Sequence, residues 1–199
     1  MVYILEPLKV KIMSDNIKSR RELELIFIKT VKNILDIENQ NHYSVRRGYG
    51  SKEETGAAPG WKREENVVML SVLFQDSIID KIRNQSFEDG ENNMLTYIDK
   101  HTATISLRCT CYGPDCFVWA ERLRAGFSRP DIKLILTREE IYRVSGESAP
   151  YTANEIFNNE WWLRTDITIN FNMAVRIEQI NAVNSLDKAI VEIVTENSN

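Results

Sequence analysis

From Ile167 to Ile177 every second residue is apolar: Ile167, Ile169, Phe171, Met173, Val175 and Ile177. Thr168, Asn170, Asn172, Ala174 and Arg176 fill the gaps. A period of two over that length predicts a strand with one buried and one wet face. If Trp161 to Ile180 form one strand, its 20 residues span roughly 66 Å at about 3.3 Å each. A compact globule of 199 residues has a radius of gyration near ~16 Å, so a diameter of about 40 Å. A straight strand of that length must bend, break at a bulge or reach onto a neighbouring molecule. The feature points to assembly rather than to chemistry. At its start, Trp161 and Trp162 fall on opposite faces. One ring can join the core, while the other meets solvent, a loop or another subunit.

Composition narrows the alternatives. A hydrophobic fraction of 43% in 199 residues supplies a proper core for a single domain. The 25 basic and 29 acidic residues leave a net charge of −4, which is no footprint for tight nucleic-acid binding. Two histidines and three cysteines are few for a metal or acid–base enzyme. No apolar run approaches a membrane span of about 18 residues. The opening MVYILEPLKVKIMSD is interrupted by Glu6, Lys9 and Lys11 and does not read as a signal peptide. An odd cysteine count without an export signal fits a reducing compartment.

Along the chain, residues 2–12 alternate weakly around Pro7, which suits an edge strand or arm. We read 1–18 as an N-terminal arm. Ser19-Arg-Arg-Glu22 is a capping-box pattern, and Leu23, Phe27, Thr30, Val31 and Ile34 follow at helical spacing, predicting a helix over 19–36. Residues 39–65 form a long polar segment containing Gly48, Gly50, Gly56, Pro59 and Gly60. Long loops of this kind are usually functional or flexible. Tyr49 and Trp61 within it are flanked by Arg46-Arg47 and Lys62-Arg63, a composition suited to a protein interface. The plainer reading is a solvated loop with Trp61 folded back on the core. Strands are expected at 67–74, 101–112, 141–144 and 188–194. Gly113-Pro114-Asp115 is expected to end one strand and start a helix that stops at Gly126, with a further helical turn at 130–136. The pattern implies an α+β fold: a mostly antiparallel sheet, two main helices packed on it, and long loops or arms in one domain.

The search for reactive sites is mostly negative. Cys109 and Cys111 alternate on the apolar face of a strand and Cys116 begins a helix, so packing explains them better than a zinc site. Gly48-Tyr-Gly50-Ser-Lys52 lacks the spacing of a phosphate loop. His42 and His101 have no partner at a recognisable spacing. The acidic pairs Glu53-Glu54, Glu64-Glu65 and Glu139-Glu140 sit beside Lys or Arg, as solvated charge does. No nucleophile or metalloprotease motif is present. No catalytic, cofactor-binding or metal residue is assigned.

Three stretches together carry a resemblance. They are Gly56-Ala-Ala-Pro-Gly-Trp61-Lys-Arg63 running into Val67–Ser71, the segment Trp119-Ala-Glu-Arg-Leu-Arg-Ala-Gly126, and Asn159-Glu-Trp161-Trp162-Leu-Arg164 entering the alternating strand. Over about 20–195 the chain resembles the tail-terminator, or neck-terminator, proteins of tailed bacteriophages. The resemblance implies a non-enzymatic virion protein without cofactor, assembled in the host cytoplasm. It implies a ring, usually a hexamer, that caps the tail tube, meets the head-side connector or stopper protein, and lets DNA pass through its lumen without sequence-specific binding. Tyr49, Trp61, Arg63, Trp161, Trp162 and Arg164 are the expected interface residues. A ring of six would carry a net formal charge of −24 (six times −4), and a lumen of that sign would let DNA slide. A head-completion stopper or another connector ring is the nearest alternative. A small-ligand enzyme would need a concave pocket with perturbed titratable groups.

Overall fold

The computed structural model describes residues 16–37, 45–48, 62–89, 94–146, 148–157 and 159–184. The strands expected at 2–12 and 188–194, and most of the 39–65 segment, lie outside them. The elements in order are α1 (Arg20–Leu35), β1 (Val45–Arg47), β2 (Val67–Gln75), α2 (Ile78–Lys81), β3 (Arg83–Asp89), β4 (Met94–Tyr112), α3 (Cys116–Gly126), α4 (Pro130–Arg138), β5 (Ile141–Arg143), β6 (Tyr151–Phe157) and β7 (Glu160–Asn184). The fold is α+β with a seven-stranded sheet in the order β1-β2-β4-β7-β5, to which β3 adds through β4 and β6 through β7.

One sequence expectation needs correction. The main helices are three rather than two: α1, α3 and α4 have 16, 11 and 9 residues, and α2 is a single turn of 4. α4 was legible only as a turn because its buried stripe is just Ile132 and Leu136, one turn apart. Pro130 in its first turn supplies the fixed φ that starts it. The sheet also holds one parallel pair among these pairings. β2–β4, β5–β7 and β6–β7 run antiparallel, but β1 pairs parallel with β2, Val45 beside Val68. β1 lies inside the stretch read as loop. Three residues are too few to show a period.

The chain divides into two compact units, one of residues 17–82 and 101–175, the other of 1–16, 83–100 and 176–199. The division falls within β4, between Lys100 and His101, and within β7, between Val175 and Arg176.

In the larger unit the helices cover one face of the sheet. The alternation predicted for β7 holds: Ile167, Ile169, Phe171, Met173 and Val175 are buried, and the residues between them are half-exposed. Ile105, Leu107, Cys109 and Cys111 of β4 and Val68, Leu70 and Val72 of β2 continue that buried face, in register as Val68–Cys111, Leu70–Cys109 and Val72–Leu107. Leu23, Phe27, Val31 and Ile34 of α1 and Ala120 and Leu123 of α3 pack on it. Phe27, Phe127 and Phe171 meet at its centre with ring centroids 5.0 to 6.4 Å apart. Each such ring contributes about 1.5–3 kcal/mol by burial, and edge-on pairs add about 0.5–1.5 kcal/mol.

The helix ends follow their local chemistry. Ser19 Oγ accepts from the Glu22 backbone N–H, and the Ser19 N–H donates to Glu22 Oε2 at 2.7 Å, completing the capping box. Hydrogen bonds from the Ser19 hydroxyl and then its backbone N–H hold the Glu22 carboxyl below the usual carboxylate range. Asp36 ends α1 with a left-handed φ of 56°. Gly113, at φ 104°, turns β4 into α3, and Asn66 clasps the turn by exchanging 2.9 Å hydrogen bonds with Asp115. Pro114 stands one residue before the N-cap Asp115, outside the helix. Gly126 is the last residue of α3. A Cβ there would lie 3.0 Å from Ile34 Cγ1, and closer still to Cγ2, so glycine serves the α1–α3 approach rather than a left-handed stop.

In the smaller unit β3 pairs with β4. Arg83 Nη1 holds the buried Asp99 carboxylate at 2.5 Å, Phe87 and Tyr97 pack with centroids 5.5 Å apart, and Ile98 is buried. The backbone N–H of Asn16 donates to the carbonyl of Arg176 at 3.0 Å.

Candidate assembly interface

β6 and β7 form a hairpin, and Asn159, just before β7, takes a φ of 62°. Asparagine tolerates that left-handed backbone better than most side chains. The register sets Ile156 opposite Trp161, Glu155 opposite Trp162, Asn154 opposite Leu163 and Thr152 opposite Thr165. Directly opposed residues share a face of the sheet.

The two faces differ in chemistry. On the face away from the helices, Arg164 runs between carboxylates. Its Nε and Nη2 bind Asp166 at 3.0 and 2.7 Å, and its Nη1 binds Glu155 at 3.1 Å. Tyr112 Oη of β4 donates to Glu155 at 2.8 Å, and Arg108 Nη2 reaches Asp166 at 3.5 Å. Burial alone would raise the Asp166 carboxyl. Hydrogen bonds from Arg164 and Thr110, with the charges of Arg164 and Arg108, outweigh it and hold the group below the usual range. The same bond to Asp166 pushes the Arg164 guanidinium up. The cluster stitches β4, β6 and β7 together. Farther along that face Ser106 accepts from Gln75 and donates to Asn170 Oδ1 at 2.6 Å.

The helix-side face is sealed at Thr165, whose hydroxyl lies 3.0 Å from that of Thr152 and donates to Cys116 Sγ at 3.2 Å. Trp161 and Leu163 belong to this face but are exposed, as is Ile156.

The interface residues expected from sequence separate on inspection. Tyr49 and Trp61 lie outside the described residues. Arg63 is exposed in the turn before β2 and makes no ion pair among the described residues. Trp161 is 57% exposed and Trp162 8%, so one ring is buried and one is open, as strand geometry required. The buried ring shares its face with Arg164 and Glu155, not with the helix-packed core. Arg164 is committed to two carboxylates within its own chain. Arg47, read as part of a basic flank, pairs with the buried Glu24 of α1 at 3.8 Å, beside Arg20 at 3.1 Å. Sequence reasoning missed Ile156 and Leu163. The signal for them was present: Tyr151–Phe157 is a β-prone run joined by two asparagines to a second one, which is a hairpin pattern.

Cys109, Cys111 and Cys116 are all fully buried, and burial pushes the Cys109 and Cys111 thiols well up. Among the described residues no group of three or more His, Cys, Asp or Glu is placed to hold a metal ion. No helix among them is long and apolar enough to cross a membrane.

A sheet with one helix-packed face, a salt-bridged opposite face and an apolar hairpin left open defines a protein organised for contact with other macromolecules. The model of the phage neck terminator protein family matches residues 55–197, nearly three quarters of the chain, and the chain belongs to that family. It is therefore a structural protein of the phage tail and neck. The comparison with curated proteins finds no match.

Proposed function

We propose that this chain is a tail terminator: a ring, six subunits in the simplest case, that caps the finished tail tube and carries the head-side connector, with DNA crossing its lumen. The observation that carries this reading is the family match over residues 55–197. The open apolar hairpin supports it, because a subunit that must join its neighbours needs a surface its own fold leaves unsatisfied. Capping is steric. One side of the ring copies the end of the tube, and the other lacks the surface on which more tube protein would add. The chain performs no reaction. The 39–65 segment, with Tyr49 and Trp61, docks along the tail axis on tube or connector protein. Arg63 lies at the rim of that contact.

Polymerising the cognate tail tube protein with and without this chain tests the reading. Tubes should stop lengthening when the chain is added, and length distributions should narrow. Deleting residues 48–60 should abolish the arrest while leaving a folded protein. Tubes of unchanged length in the presence of the intact chain would sink the proposal. Binding to portal complexes instead of tube ends would favour a stopper position.

A further inference from the structure

One edge of β7 changes partners along its length. β6 pairs with residues 160–166 and β5 with 171–173. The last contact with the β5 segment is the Ala174 N–H, which donates to the Glu140 carbonyl. Backbone groups in a strand point to alternate sides, so Arg176 presents its carbonyl to the same edge as Ala174. There it accepts from the backbone N–H of Asn16 at 3.0 Å. Among the described residues no strand covers that edge over 177–184.

The length of chain that ends at this point is residues 1–15. Its direction follows from the residues just after it. Lys18 Nζ donates to the Glu139 carbonyl at 2.9 Å, next to the Glu140 that receives Ala174. From Lys18 back to Asn16 the chain therefore passes from the level of Ala174 to that of Arg176. Continued, it runs antiparallel to β7. An N–H···O bond between antiparallel strands joins directly opposed residues, so Asn16 opposite Arg176 fixes the register of everything before it.

The sequence agrees with that register. Ser14 falls opposite Glu178, Ile12 opposite Ile180, Val10 opposite Ala182 and Leu8 opposite Asn184, the last residue of β7. Pro7, which has no N–H to give a ladder, falls one residue past the strand's end. A slip of one residue either way would set Ile12 against Gln179 or Asn181 and turn the apolar positions to the other face.

We propose that residues 8–15 of the chain's own N-terminal segment dock on this edge of β7 as an added antiparallel strand. An uncovered edge is a template on which another copy can pair. The added strand replaces it with an edge bearing Lys9, Lys11 and Pro7, the residue types that blunt strand edges. Subunits are then left to meet through side-chain surfaces rather than strand on strand. Residues 1–15 lie outside the family match, and the inference does not depend on the terminator reading.

Disulfide trapping in the full-length protein tests the docking. Met13 and Gln179 would oppose each other at a position without ladder hydrogen bonds, where Cα atoms stand about 4.5 Å apart, within disulfide range. Gln179 is exposed, and the three native cysteines are buried. Under mild oxidation Met13→Cys with Gln179→Cys should form a bond within one chain, read as a monomer mass in denaturant without reductant. Ile12→Cys with Gln179→Cys places the thiols on opposite faces and should stay reduced. Equal bonding of both pairs, or none in either, overturns the register. A bond joining two chains overturns the choice of occupant and gives the edge to a neighbour's segment. Amide exchange supplies a second reading. The Glu178 and Ile180 N–H groups point to the added strand and should lose their protection when residues 2–13 are deleted, with circular dichroism verifying the fold. Protection that survives the deletion overturns the docking.

Discussion

Replacing Gly126 by alanine should destabilise this protein, although alanine is the better helix former. In a helix interior the exchange gains about 0.8–1 kcal/mol, and less at a last residue. Against that, the added Cβ would sit 3.2 Å from Ile34 Cβ and 3.0 Å from Cγ1, with Cγ2 nearer still. Carbon atoms prefer about 3.5–4.0 Å. Ile34 cannot easily rotate away, because a β-branched residue in a helix has one strongly favoured χ1. α1 and α3 must then separate, or Ile34 must leave its rotamer, at about 1–3 kcal/mol for an overpacked core. The net loss is about 1–2 kcal/mol. In a domain of this size that lowers Tm by roughly 3–6 °C. A double-mutant cycle isolates the cause. Ile34→Ala alone leaves a hole and costs about 2–4 kcal/mol. In I34A/G126A the new methyl group enters that hole, so the double variant should be less destabilised than the summed singles by at least ~1 kcal/mol. Denaturant unfolding of the four proteins measures this. A neutral or stabilising G126A, or effects that simply add, would refute the packing reason given for this glycine.

Three further outcomes are expected. Asp166→Asn should cost about 1 kcal/mol near neutral pH, a figure kept small because the pair is partly solvated. Its folded carboxyl lies below the unfolded value of about 3.9, so the stabilisation is present above about pH 4 and is lost as pH falls through the folded value. The gap between wild type and D166N in denaturant melts should therefore narrow below about pH 4, and a gap independent of pH would contradict the assignment. Thr165→Val should cost about 1 kcal/mol in the same melts, because it removes the buried hydroxyl that donates to Cys116 Sγ and meets the exposed Thr152 hydroxyl. A thiol reagent should find none of the three cysteines in the native protein and all three after denaturation.

Long periodic elements were legible from sequence, and short or context-dependent ones were not. α1 could be read from Ser19 and Glu22 because a capping box uses only neighbours three residues apart. β7 could be read because its alternation persists over more residues than chance allows. β1 could not: it is held by its parallel pairing with β2 and by Arg47 reaching Glu24, and both partners are distant in sequence. α4 was shortened to a turn because it buries only two residues. Gly126 shows the same limit at one position: a glycine at a helix end suggests a stop, and only the approach of Ile34 reveals the actual constraint. For the interface, strand geometry separated Trp161 from Trp162 correctly. It could not foresee that Arg164 would be consumed by Asp166 and Glu155, because Glu155 becomes its neighbour only when the hairpin closes.

The most direct test of the account is electron cryo-microscopy of tail tubes grown with the purified chain. The account predicts a single closed ring of identical subunits on one end of each tube, its lumen open along the tube axis. Bare tube ends, or the chain bound as isolated copies along the tube wall, would contradict it.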